Sequence, residues 1–148
     1  MTKLTVWFWQ RMVTPHMAYL AAALARRGHD VTYVAEEKIG AERMALGWQL
    51  PEVQGVALRF VTSAVEAAAL VVSAGADTVH LTQGLRSNGN IAPAQTVIKA
   101  RGLRHFVIME TVDQRGVVGL LKPALYFWHL HRWRRGLNGI LAIWAATP

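Results

Sequence analysis

The chain of 148 residues contains no cysteine, which excludes disulfides and thiolate metal sites and fits a reducing cytosol. Acidic residues are also scarce. Nine Asp plus Glu stand against 16 Lys plus Arg, a formal charge of +7 at pH 7. Twelve of those cations are Arg, the side chain suited to bidentate phosphate or carboxylate contacts, so an anionic partner is expected. The first strand-to-helix turn, WQRMVTPH, has no glycine, so a G-x-G-x-x-G pyrophosphate cradle cannot form there. NAD or FAD binding is therefore disfavoured. No G-x-x-x-x-G-K-[ST] occurs, which removes P-loop ATP or GTP hydrolysis. Long apolar runs are missing too: GVVGLLKPALYFWHL is interrupted by Lys122 and Pro123, short of the ~20 residues a spanning helix needs. LTVWFW is broken by Gln10 and Arg11, so no leader peptide is expected.

What is present is apolar material, 53% of the residues, enough for the core of one domain covering residues 1–148. Short apolar, β-rich runs alternate with helical patterns. Strands are expected at 4–9, 31–35, 56–61, 78–82 and 105–110, with GILAIWA as a sixth. Pro15 suits the first turn of a helix whose apolar stripe is Met17, Leu20, Ala21 and Leu24, and Gly28 closes it. A short helix is expected at 41–46. Ser63 with Glu66 has capping-box spacing ahead of an Ala-rich helix, and further helices are expected at 92–101 and 123–135. Six strands joined by crossover helices specify an α/β doubly wound parallel sheet of Rossmann-like type.

In such sheets ligands bind beyond the carboxyl ends of the strands. That rule selects residues 10–14, Glu36, Thr62, 83–90 and 110–115 as a functional rim. His16 lies in the first turn of the first helix, placed to donate to an anion or act as a base; a plain polar first-turn residue is the alternative. His29 and His80 read as structural, and no histidine cluster has metal spacing. QGLRSNGN and ETVDQRG carry the densest polar chemistry, with Gln83, Arg86, Ser87 and Asn88 after one strand and Glu110, Thr111, Asp113 and Arg115 after the next. Acceptors and Arg forks converging from adjacent strands suit a sugar or a phosphate beside one; solvated loops with cap residues are the alternative. In PALYFWHLHRWRRG, a basic aromatic helix, Trp128, Arg132 and Arg135 could meet an anionic membrane surface, although an ordinary core-packed helix is favoured slightly. No motif supports nucleic-acid recognition.

PHMAYLAAALARRGHDVTYVAEE, GADTVHLTQG, HFVIMETVDQRG and NGILAIWAATP resemble, in order and spacing, the N-terminal half of GT-B fold glycosyltransferases. The likeness is to the retaining group that builds lipopolysaccharide, capsule and other glycolipids. It implies an acceptor-binding domain, with a nucleotide sugar held by a C-terminal domain absent from this chain and no cofactor of its own. The chain ends directly after a strand, so a piece of a longer protein is expected, inactive alone. The resemblance further implies a sugar or glycolipid acceptor oriented by Arg11, His16, Gln83, Arg86, Asn88, Glu110, Asp113 and Arg115. It also implies a cytoplasmic location, peripheral at the inner membrane face.

The family pattern supplies no catalytic residue here. Met12 stands three residues before Pro15, where inverting relatives carry a catalytic histidine. Val112 stands at the histidine position of the Thr-x-His-Asp pattern, whose aspartate is matched by Asp113. A nucleotide-sugar epimerase half and a stand-alone binding or regulatory module are the other readings.

Overall fold

The computed structural model describes residues 2–85, 89–110, 125, 127–132 and 134–143. Six strands form one parallel sheet: β1 (Thr5–Met12), β2 (Asp30–Glu37), β3 (Val56–Phe60), β4 (Val79–Gln83), β5 (Arg104–Glu110) and β6 (Gly139–Ile143). The strand order is β3-β2-β1-β4-β5-β6, every pair parallel. The order reverses between β1 and β4, which opens a crevice at their carboxyl ends.

Side chains alternate along each strand and separate two cores. Val6, Phe8, Val31, Tyr33 and Leu81 face α1 (Pro15–Arg26), which presses Met17, Ala18 and Ala21 against them. Small alanines let α1 lie close to the sheet, and Phe8 stacks on Tyr33 at 5.7 Å between ring centroids and 4° between planes. On the other face Trp9 and Val34 pack beneath α3 (Ala64–Ser73) and α4 (Ala92–Ala100) through Ala67, Val71, Ala94 and Ile98. A short helix, α2 (Ala41–Ala45), follows β2.

Pro15 opens α1, and Gly28 behind it takes φ +87°, as expected for a helix-terminating glycine. At α3 the capping box is modified. Ser63 Oγ accepts from the Glu66 amide at 3.2 Å, but the Glu66 carboxylate bonds the Thr62 amide at 2.8 Å and its hydroxyl at 3.1 Å, one residue before the cap.

Several boundaries differ from expectation, β2 among them, which runs to Glu37 and not to Ala35. β1 runs on from Trp9 to Met12 because Gln10 and Met12 keep their register with Ala35 and Glu37 of β2. The polar side chains do not stop the ladder, and the rim starts at Val13. A 3₁₀ turn, Gly89–Ile91, precedes α4 in what reads as loop sequence. Residues 127–132 are helical, but Arg135 lies in a turn beyond, before Gly136 at φ +78°. Within this helix Phe127 is 73% exposed and Trp128 56%, while Leu130 is half-buried; Tyr126 and Trp133 lie outside the described residues. The ordinary core-packed reading is corrected for Phe127 and Trp128.

Both histidines expected to be structural are so. The Leu4 amide donates to His29 Nδ1 at 3.3 Å. His80 is fully buried and accepts at Nδ1 from Trp9 Nε1–H at 3.1 Å, so its proton sits on Nε2, which has no partner. Its neighbour on β5 is His105, also fully buried. Gln95 donates through Nε2 to the Gly84 carbonyl at 3.3 Å, which fixes its amide orientation, and to Thr82 Oγ1 at 3.1 Å. Thr82 Oγ1 in turn shares a hydrogen bond with His105 Nε2 at 2.8 Å, its direction set by the imidazole tautomer. Burial pushes the His80 pKa down to about 4, helped by Arg101. Burial, Lys99 and His80 bring His105 down to about 4 against a contrary pull from the Gly136 carbonyl. The polar chain is neutral at pH 7 and holds β1, β4, β5 and α4 in one arrangement.

Candidate functional site at the carboxyl edge of the sheet

The crevice between β1 and β4 is where this topology places ligands, and its first wall is the turn from β1 into α1. Without glycine the turn needs another support, and Tyr33 supplies it. The Tyr33 hydroxyl donates to the Met12 carbonyl at 3.1 Å and accepts from the Thr14 amide at 3.5 Å. Burial raises the Tyr33 pKa to about 12 despite these contacts, so the hydroxyl keeps its proton and its donor role. The Val13 amide donates to the Lys38 carbonyl at 3.1 Å, and the Arg11 amide to Gln83 Oε1 at 3.3 Å. Pro15 has no amide, and Ala18 bonds back to the Thr14 carbonyl at 2.9 Å. The amides of residues 11, 13 and 14 are therefore engaged internally, whereas a phosphate cradle needs such groups pointing at the ligand.

A second feature of dinucleotide sites is a carboxylate near the end of β2 that binds ribose hydroxyls. Glu36 occupies that region. Its Oε1 accepts from the Ile91 amide at 3.1 Å, and a Cβ placed on Gly89, at φ +63°, would run into its carboxylate. Asn90 Nδ2 donates to the Thr62 carbonyl at 3.3 Å. The 3₁₀ turn is thus fastened to the ends of β2 and β3, and Glu36 serves the chain's own backbone.

Of the residues expected to orient an acceptor, Arg11 and Gln83 come together across the crevice through the backbone bond just described. The Arg11 side chain is exposed and reaches Glu37 Oε1 at the end of β2, at 3.6 Å, a contact that contributes little to stability. His16 is exposed in the first turn of α1. Glu110 is the last residue of β5, paired through its backbone with Ile143 of β6. Arg86, Asn88, Asp113 and Arg115 lie outside the described residues. Beside Arg11, Gln10 is buried with Nε2 unpartnered.

The rim taken from the strand ends includes Glu36 and Asn90 but not Tyr33, and no local pattern identifies the bonds these three make. Their partners lie 21, 55 and 28 positions away. Among the described residues no group of three or more His, Cys, Asp or Glu could hold a metal ion, and no helix is long and apolar enough to cross a membrane.

Strand order, parallel pairing and helices on both faces define an α/β protein with a Rossmann-like sheet. No protein-family model matches the chain, and no curated protein matches it. Among solved structures it is similar to the NADH-dependent reductase A1-R' complexed with NAD, at 17% identity and a TM-score of 0.48, over 98% of this chain and 80% of that one. A likeness of that strength has no bearing on activity.

Proposed function

We propose that the chain is the acceptor-binding domain of a retaining GT-B glycosyltransferase, the complete enzyme moving a hexose from a nucleotide sugar to a lipid-linked or polysaccharide acceptor. The supporting observation is the turn from β1 to α1. The amides of residues 11, 13 and 14 are bonded internally and Glu36 Oε1 accepts from the Ile91 amide, an arrangement that disfavours a dinucleotide among the described residues. The carboxyl rim carries an exposed Arg guanidinium and an exposed imidazole, groups that hydrogen-bond sugar hydroxyls or an adjoining phosphate. Arg11 and His16, with Gln83, Arg86, Asn88, Glu110, Asp113 and Arg115 along the same rim, would orient the acceptor. The nucleotide sugar would come from a second domain. Rate enhancement in the complete enzyme would rest on positioning and on stabilising the departing phosphate.

The test has two arms. Titration of the chain with NADH, followed by nicotinamide fluorescence, is expected to show no saturable binding in the micromolar range; saturation there would remove the reading. Saturation-transfer NMR with candidate glycolipid headgroups and oligosaccharides should give contacts that weaken in Arg11→Ala and His16→Ala. Contacts unchanged in both variants would move the acceptor away from this crevice. The stand-alone Rossmann-like binding module is the second reading, and its support is that six strands pair in one sheet with a buried core on each face among the described residues.

A further inference from the structure

The helical segment 127–132 combines two features that a solvated surface rarely holds together. Leu125 is 58% exposed, Phe127 73% and Trp128 56%, three large apolar side chains within four positions. Immediately beyond them His131, Arg132, Arg134 and Arg135 line a recess of about 220 Å³. Arg132 lies over the Trp128 ring at 5.6 Å from its centroid, and His129 meets the same ring edge-on at 5.1 Å. The sequence sharpens the contrast, because no acidic residue occurs after Asp113 and five of the seven net positive charges belong to residues 114–148.

We infer that this segment is a docking surface for an anionic lipid bilayer, with Phe127 and Trp128 entering the headgroup boundary and the arginine recess holding lipid phosphate. A second protein subunit would accept the apolar side chains but gives no reason for an acid-free run of arginines beside them. An anionic bilayer matches both parts: apolar rings enter its interfacial layer, and guanidinium forks bind phosphate oxygens bidentately. The indole under Arg132 keeps that cation at headgroup depth. The inference is independent of the sugar chemistry proposed above and stands or falls separately.

Co-sedimentation with vesicles tests it. Phosphatidylglycerol mixed with phosphatidylcholine is compared with pure phosphatidylcholine at about 10 mM and about 300 mM salt, across which the Debye length falls from about 30 Å to several Å. Binding is expected on the anionic vesicles at low salt and to fall at high salt. The triple variant Arg132→Gln, Arg134→Gln, Arg135→Gln should lower the partition coefficient roughly 100-fold, about fivefold per cation.

Arg26→Gln, Arg27→Gln, Arg59→Gln removes the same charge from exposed positions elsewhere and should cost far less. Phe127→Ser with Trp128→Ser should weaken binding at both salt concentrations, and circular dichroism checks that each variant is folded. Absence of binding to anionic vesicles at low salt, or equal losses in the two arginine triples, overturns the inference. So does a dimer that dissociates on Phe127→Ser while vesicle binding stays unchanged.

Discussion

Acidification from pH 7 to pH 5 is expected to destabilise the domain through His80 and His105. Each is fully buried, and each has its pKa lowered from 6.5 to about 4, mainly by that burial. In the unfolded chain each imidazole takes a proton near pH 6.5, whereas in the folded chain each resists to about pH 4. The unfolded state therefore binds more protons throughout this window. The stability contributed by the neutral folded forms is complete above the unfolded pKa and is lost as pH falls toward the folded one. Linkage between pH 7 and pH 5 gives about 2 kcal/mol per histidine, so about 4 kcal/mol together. Set against a typical domain stability of about 5–15 kcal/mol, that loss is large.

Urea unfolding followed by tryptophan fluorescence at the two pH values measures it. Carboxylates also titrate near the bottom of the window, so the informative quantity is the difference between proteins. His80→Gln and His105→Gln should each be less stable than the parent at pH 7, yet each should lose about 2 kcal/mol less between pH 7 and pH 5. If His80→Gln shows the same drop as the parent, the histidines do not carry the acid response, and the neutral polar chain described above is wrong.

Other perturbations address the rim. Tyr33→Phe removes the hydroxyl that braces the first turn and leaves the Met12 carbonyl and Thr14 amide without it, an expected loss of about 1–3 kcal/mol in urea unfolding. Ser63→Ala removes the cap of α3 and should cost about 1 kcal/mol, read as a lower thermal midpoint. Gly89→Ala drives a methyl group toward the Glu36 carboxylate at a positive φ, so it should destabilise by more than 1 kcal/mol, the ordinary scale of an αL penalty. Combining it with Glu36→Ala should give a smaller loss than the two single losses added, and strict additivity would mean that the two residues do not meet.

Much of the fold was legible because it rests on local pattern. Apolar runs such as LTVWFW mark strands buried on both faces, and Pro15, Gly28 and Ser63 punctuate helices for reasons confined to a few residues. Gln10 and Arg11 obscured the end of β1, since its pairing with β2 depends on backbone register and not on the polarity of its side chains. The carboxyl rim was legible as a location, since every strand of a parallel sheet ends there, but the crevice between β1 and β4 needed the strand order, and its chemistry was not legible. The bonds that shape it join Tyr33 to Met12, Glu36 to Ile91 and Gln83 to Arg11, contacts that exist only once the sheet has formed. Residues 127–132 misled in another way: apolar spacing along a helix states which side is greasy, not whether anything in the same chain covers it.

The tyrosine brace bears on any attempt to redesign this scaffold as a cofactor enzyme. Grafting glycines into the segment from Met12 to Thr14 would supply backbone freedom without supplying hydrogen-bond donors, because those amides would still face Tyr33 and Lys38. Rewiring would have to begin a strand away, at position 33, and then at Glu36, whose removal releases the turn above it. Which backbone groups the crevice leaves open is thus set in part by side chains on the neighbouring strand.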